Sequence, residues 1–358
     1  MASAAQSIAG QEEEELLGTE RLLVGGPHFE DFEIGQVFGD APALTLTSGH
    51  AALHQALTGD RLRLPLDAEL SRLVTGCDRP LAHPNLVCDV AIGQSTGPTQ
   101  RVLGNLFYRG LVLLAPVFIG DTLRTSTEVV ALKQNRARAD RPATGLVVLR
   151  IRTENQHGQP VLDFWRCPML PLRNSDVDTG RADDLDQIPR DLEPARVLEA
   201  VPADWRLHEL RDLIGGETFG DLAEGAQWDI EGRQTVTGAP ELVRLTLNIA
   251  AAHSDAGSTV SGRRLVYGGH TISIAAAQAA RALPNLATII AWHGCDHVGP
   301  VFEEDVLRTE LSLERKEALE DGGLVDLRAL VWAERNDTQT GDAIERQVLD
   351  WRFVAVMA

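Results

Sequence analysis

Two stretches of the chain carry the pattern of a helix buried on every side, and each leads into long runs patterned as strands. "TISIAAAQAARAL" from Thr271 holds small and apolar residues over three turns without Pro or Gly, which predicts a central helix with no solvent face. "NLVCDVAIGQST" from Asn85 has the same character with less regularity. "ATIIAWHGCDHV", "GLVDLRALVWAERN" and "RQVLDWRFVAVM" are β-branched and aromatic, partly alternating and bounded by turn residues, so they predict long antiparallel strands. One long helix wrapped by a run of strands is an α+β layer arrangement.

The pattern occurs twice because the chain repeats itself. "FEDFEIGQ" from Phe29 returns as "FGDLAEGA" from Phe219, "APVFIGDTL" around Pro116 as "GPVFEEDVL" around Pro300, and "GLVVLRIRTEN…VLDFWR" from Gly145 as "GLVDLRALVWAERN…VLDWRF" from Gly323. The order is kept, which indicates duplication. A charged, proline-punctuated stretch over 174–204 reads as a linker between halves of 28–173 and 205–357.

A chain of 358 residues, 44% hydrophobic, is long enough for two such cores. Its formal charge of -19 supplies no basic stripe for nucleic acid, so an anionic ligand would need a local basic pocket. Cys77, Cys88, Cys167 and Cys295 are scattered, with neither disulfide framework nor metal spacing, as expected in a reducing cytosol. The acidic run Glu12 to Glu15 argues against a signal or transit peptide and reads as a solvated tail, and no segment approaches a membrane span. The expectation is a cytoplasmic protein. The paired glycines Gly268 and Gly269 do not form a nucleotide-binding fingerprint.

Three further patterns carry chemistry. "TGDRLRLPLD" from Thr58, "LNIAAAHSD" from Leu247 and the twice-occurring P-V-F strand resemble the MaoC-like, or hydratase 2, branch of the hot-dog superfamily. That family has a G-D-x-N-P-x-H-x-D segment, an A-H-G turn into the central helix, and a P-V-F-x-G-D-x-L strand. The combination "TLNIAAAHSD", "GRRLVYGGHT" and "ALPNLATIIAWHGCDHVGPVFEED" is most similar to the mesaconyl-CoA (2-methylfumaryl-CoA) hydratases, also called β-methylmalyl-CoA dehydratases. The resemblance implies two fused hot-dog halves, each an antiparallel sheet wrapped on a long helix, and reversible addition of water to an enoyl-CoA. It implies no metal or cofactor, CoA arriving with the substrate, and leaves further pairing of the fused chain open.

Hydration of an enoyl thioester needs a group that deprotonates water, one that protonates Cα, and donors for the enolate oxygen. His253 stands where the family has its histidine, whereas the first half has Pro65. The family's turn glycine offers a backbone N–H at the helix N-terminus; Gly269 is assigned there, opposite Pro84, which has no N–H. The first half therefore reads as a decayed site, with Asp60 and His83 as structural groups. Asn248 replaces the family aspartate, so either Asn248 or Asp255 is the partner of His253. Tyr267, Gly268 and His270 are assigned to substrate contact, and Arg263 and Arg264 to the carboxylate of a dicarboxylic acyl group or to CoA phosphates. His293 and His297 are secondary candidates. The rival readings are a fatty-acid-type (R)-3-hydroxyacyl-CoA dehydratase, a hot-dog thioesterase and a non-catalytic acyl-CoA-binding protein.

Overall fold

In the computed structural model, residues 24–138, 141–259, 261–336 and 343–358 are described; the Glu12 to Glu15 run lies outside them. In the first half, strands β1 (Val37–Phe38) and β2 (Leu44–Thr45) precede helices α1 (Ser48–Thr58), α2 (Arg63–Leu66), α3 (Ala68–Thr75) and α4 (Pro84–Gln94). Four long strands follow, β3 (Gly104–Leu113), β4 (Thr122–Gln134), β5 (Thr144–Glu154) and β6 (Pro160–Pro171). Between the halves lie α5 (Pro194–Leu198) and α6 (Leu207–Leu213). The second half repeats the plan with β7 (Gln227–Asp229), β8 (Gln234–Thr235), α7 (Ala239–Leu245), α8 (Ala251–Ser254) and α9 (Gly268–Ala282). Its long strands are β9 (Leu286–His297), β10 (Val306–Ala318), β11 (Gly323–Asn336) and β12 (Ala343–Met357).

The helix expected from Asn85 is α4, and all eleven of its residues are buried, as a helix apolar on every side requires. The helix expected from Thr271 is α9, which begins three residues earlier. Both lie against one continuous antiparallel sheet ordered β1-β4-β5-β6-β3-β9-β12-β11-β10-β7. The halves join where β3 pairs with β9, and the register there is two-fold: Tyr108 opposes Cys295 as Leu111 opposes Trp292. This is a double hot-dog arrangement of class α+β.

The repeated motifs have physical causes. Phe29 packs on Gly145 and Phe219 on Gly323, so closely that a Cβ at either glycine would meet the ring at 2.3 and 2.2 Å. Arg150 clasps Asp163 with two hydrogen bonds across β5 and β6, and Arg328 clasps Asp350 likewise across β11 and β12. In the two P-V-F turns the aspartates Asp121 and Asp305 accept from the N–H groups of Phe118 and Phe302.

The segment read as a linker also packs: Val197 and Ala200 are buried in a cluster with Val112, Ile290, Ala291 and Val354 of the sheet. No described helix is long and apolar enough to cross a membrane.

One contact between the halves sets the position of the loop that carries Asn248. Gly93 of α4 lies against the main chain at Thr246, where a Cβ would come within 1.7 Å of the carbonyl oxygen. Gly93→Ala gains helix propensity but drives the Thr246–Asn248 segment away from α4. A net loss of about 1 to 3 kcal/mol, the usual cost of overpacking, is expected in urea unfolding, with lowered activity. An unchanged midpoint would refute this role for the glycine.

Candidate active site

A cavity of about 730 Å³ opens at the junction of the halves. From the second half His253, Asn248, Tyr267, Gly268 and His297 line it; from the first come Thr96, Tyr108 and Arg166. The segment that carries Asn248 and His253 leaves α7 through Thr246, whose hydroxyl donates to the carbonyl of Leu242. Leu247 then takes φ 60°, a left-handed conformation that costs a residue with a Cβ about 1 to 2 kcal/mol. Asn248 turns the chain by accepting the Ala250 N–H on Oδ1, which leaves its NH2 donors for a ligand. The first half has the same turn, with Thr58 bonded to the His54 carbonyl, Gly59 at φ 66° and Asp60 accepting from Leu62. The aspartate-to-asparagine exchange inferred from sequence is thus a like-for-like substitution in one turn. The first half pins the second-half segment in place, because the Ile249 N–H donates to Thr96 Oγ1 and the Ala251 N–H to the Gln100 carbonyl.

His253 sits on α8 with Nδ1 3.0 Å from the Leu265 carbonyl, so Nδ1 carries the proton and Nε2 keeps a lone pair facing the cavity. Burial lowers its pKa, as does the nearby Arg166 charge, while the Leu265 bond raises it. The net result is a neutral imidazole. Tyr267 is the N-cap residue of α9 and sets its ring edge-on to His253, the centroids 5.6 Å apart. His297 ends β9, packed against Tyr108 and against Gly268, where a Cβ would lie 2.5 Å from the ring. Burial and the neighbouring His253 push its pKa down to about 4.

Several sequence assignments change. Pro84 is the first residue of α4 after His83, and Gly268 is the first residue of α9 after Tyr267, so the counterpart of Pro84 is Gly268 and not Gly269. Gly268 lines the cavity; Gly269, one step round the helix, faces Asp89 at a distance that excludes any side chain. Asp255 accepts from Gly257 N–H and Ser258 Oγ in an exposed turn and does not line the cavity. Arg264 is paired with Glu303 at 2.7 Å and Arg263 stacks on Phe302; neither lines the cavity. His270 points the opposite way, its Nε2 on the Leu57 carbonyl beside the first half's buried polar groups. There His83 meets Asp60 at 3.0 Å and His54 lies 3.6 Å from Asp89. His293 bonds to Leu192 N and faces Asp326, away from the cavity.

Sequence reasoning missed the first half's contribution. Arg166 opposes Tyr108 across β6 and β3, as Phe353 opposes Trp292 across β12 and β9. The related position in the other half is therefore apolar on both strands, and Leu113 stands where the second half has His297. An arginine at an inward position of the apolar strand "VLDFWRCPML" was the available signal.

A fold of two hot-dog units on one sheet, with a histidine beside a helix N-terminus at their junction, defines a MaoC-like double hot-dog protein of the hydro-lyase class. The chain belongs to the mesaconyl-CoA hydratase family, whose model matches residues 15–284. It is 30% identical to a mesaconyl-CoA hydratase of Cereibacter sphaeroides over 88% of this chain and 91% of that protein. It is 29% identical to a β-methylmalyl-CoA dehydratase of Chloroflexus aurantiacus over 85% of this chain and 86% of that one. Among solved structures, a conserved Mycobacterium tuberculosis protein with a double hot-dog fold has 49% identity and a TM-score of 0.86, covering 94% of this chain and 100% of that chain. A MaoC domain protein of Chloroflexus aurantiacus has 26% identity and a TM-score of 0.82, covering 94% and 99%.

The buried histidines have a consequence for stability. An unfolded histidine binds its proton near pH 6.5 whereas folded His297 does so only near 4, and His54, His253 and His270 are shifted the same way. The unfolded state thus holds more protons in this window, so stability falls as pH falls from about 6.5 to 4. His297→Leu is expected to reduce the slope by up to one proton, about 1.4 kcal/mol per pH unit, in urea titrations. An unchanged slope would show that His297 ionises normally.

Proposed function

We propose that the chain catalyses the reversible syn addition of water to an enoyl-CoA, with mesaconyl-CoA and β-methylmalyl-CoA as the pair. The observation that carries this reading is the free Nε2 of a neutral His253 beside the N-terminus of α9, in a member of this family. Water is held by the Asn248 NH2 and His253. As its oxygen bonds to the β-carbon, Nε2 takes the proton and the C=C electrons move toward the thioester oxygen. The Gly268 N–H and the positive end of α9 stabilise that oxygen. The imidazolium then returns a proton to the α-carbon on the same face. Arg141, exposed at the cavity mouth, is suited to CoA phosphates.

No Asp or Glu of the described residues lines the cavity, which disfavours a thioesterase that activates water with a carboxylate. The buried arginine disfavours a fatty-acyl chain.

Turnover of mesaconyl-, itaconyl- and crotonyl-CoA, followed at the enoyl-thioester absorbance, tests the reading. His253→Ala is expected to lose at least about 10²-fold in kcat in a folded protein. Asp255→Ala should remain within a few fold. Activity retained in the first variant, or thiol release by the parent, would overturn the assignment. Because the base must be neutral and its pKa lies below the ordinary value, the acid limb of kcat/KM should fall below pH 6.5. A limb above 6.5 would contradict the geometry.

A further inference from the structure

Arg166 is the feature of the cavity that protein contacts leave unexplained. Only 3% of its surface is exposed, and a guanidinium so enclosed ordinarily has a carboxylate beside it. Among the described residues it has none. Nη2 donates to the Ser95 carbonyl at 2.7 Å and to Thr99 Oγ1 at 2.6 Å. Nε is buried without a partner, and Nη1 takes none among the described residues. A planar group with five donors is thus half satisfied, held by two neutral acceptors and turned toward a cavity. The aromatic residues around it, Tyr108 and Tyr267, bring no negative charge, since burial raises the pKa of both.

We infer that Arg166 receives the free carboxylate of a dicarboxylic acyl-CoA, so that the first half supplies the acyl specificity of a site whose acid–base group comes from the second. This deepens the hydratase reading and rests on it. Mesaconyl-CoA carries its carboxylate on the β-carbon, the atom that water attacks, so an anion anchored on Arg166 would hold that carbon in the same chamber as His253. The carboxylate would accept from Nη1, whose donors the described residues leave open, in a charge-assisted bond. In the first-half counterpart Phe353 occupies the position, and no such anion could be held there.

The test uses an inhibitor pair that differs only in the anion and a substrate pair that differs in the anion and the α-methyl group. In the parent, succinyl-CoA, which has the carboxylate on the same carbon, should inhibit crotonyl-CoA hydration at least about tenfold more tightly than butyryl-CoA, its methyl analogue. Arg166→Met should then lower kcat/KM for mesaconyl-CoA about 10- to 100-fold more than for crotonyl-CoA, the loss expected for a charge-assisted pair. Arg166→Lys, which keeps the charge without the fork, should fall between. Arg141→Met, at the mouth, should affect both substrates alike. Equal losses in Arg166→Met, no loss, or succinyl- and butyryl-CoA binding equally well would each overturn the inference. The inhibitor pair needs no variant and decides the anion site even if Arg166→Met fails to fold. A parent that hydrates crotonyl-CoA but not mesaconyl-CoA sinks the substrate assignment. A parent that hydrates both, with the ratio unmoved in the variant, sinks only the role of Arg166.

Discussion

The antiparallel pairing of β3 with β9 is the constraint on which the rest of this molecule depends. Main-chain hydrogen bonds across that seam make one sheet of two and set the central helices side by side on it. The junction then becomes the place where a loop of one half reaches the strands of the other. Thr96 and Gln100 pin the segment carrying Asn248 and His253, and Gly93 lets it approach. Neither half alone has a cavity wall on both sides.

Two-fold pairing produces two such junctions, and the chain has developed them differently. At the second-half loop the wall is Tyr108, His297 and a half-satisfied Arg166; the corresponding strand positions on the other side are Trp292, Leu113 and Phe353. Polar groups that would be costly in a sealed core are tolerated where a ligand completes them, and apolar replacements serve where none arrives. The first half nonetheless retains Asp60 in its turn, bonded to His83 from the helix cap. That pair is buried. Leu247 sits in a conformation that its counterpart Gly59 adopts freely, and this strain lies next to Asn248, where a fixed loop is most useful.

Much of this was legible in the sequence because periodicity and repetition are properties of the chain order. The buried helices, the long strands and the duplication follow from patterns that local backbone geometry imposes: side chains alternate on a strand, and a helix lacking a polar face must be enclosed. His253 was singled out by the motif resemblance. The exchange at Asn248 was also readable, since it lies in a turn both halves share. The start of α9 was not readable to the residue, and the counterpart of Pro84 was placed at Gly269 instead of Gly268. On a helix one step changes the direction faced by about 100°, so the small slip separates a cavity from Asp89.

The sequence by itself determined the α+β architecture and its doubling, because periodicity and repetition are carried by the order of residues along the chain. Only the tertiary structure decided which charges face the cavity. Arg263 and Arg264 neighbour the segment of Asn248 and His253 in sequence yet are held by Phe302 and Glu303, while Arg166, far away in the chain, is carried to the cavity by the pairing of β6 with β3. A side chain's partners depend on where the sheet register brings strands from different halves, and that is settled by packing over the whole fold rather than by spacing along it.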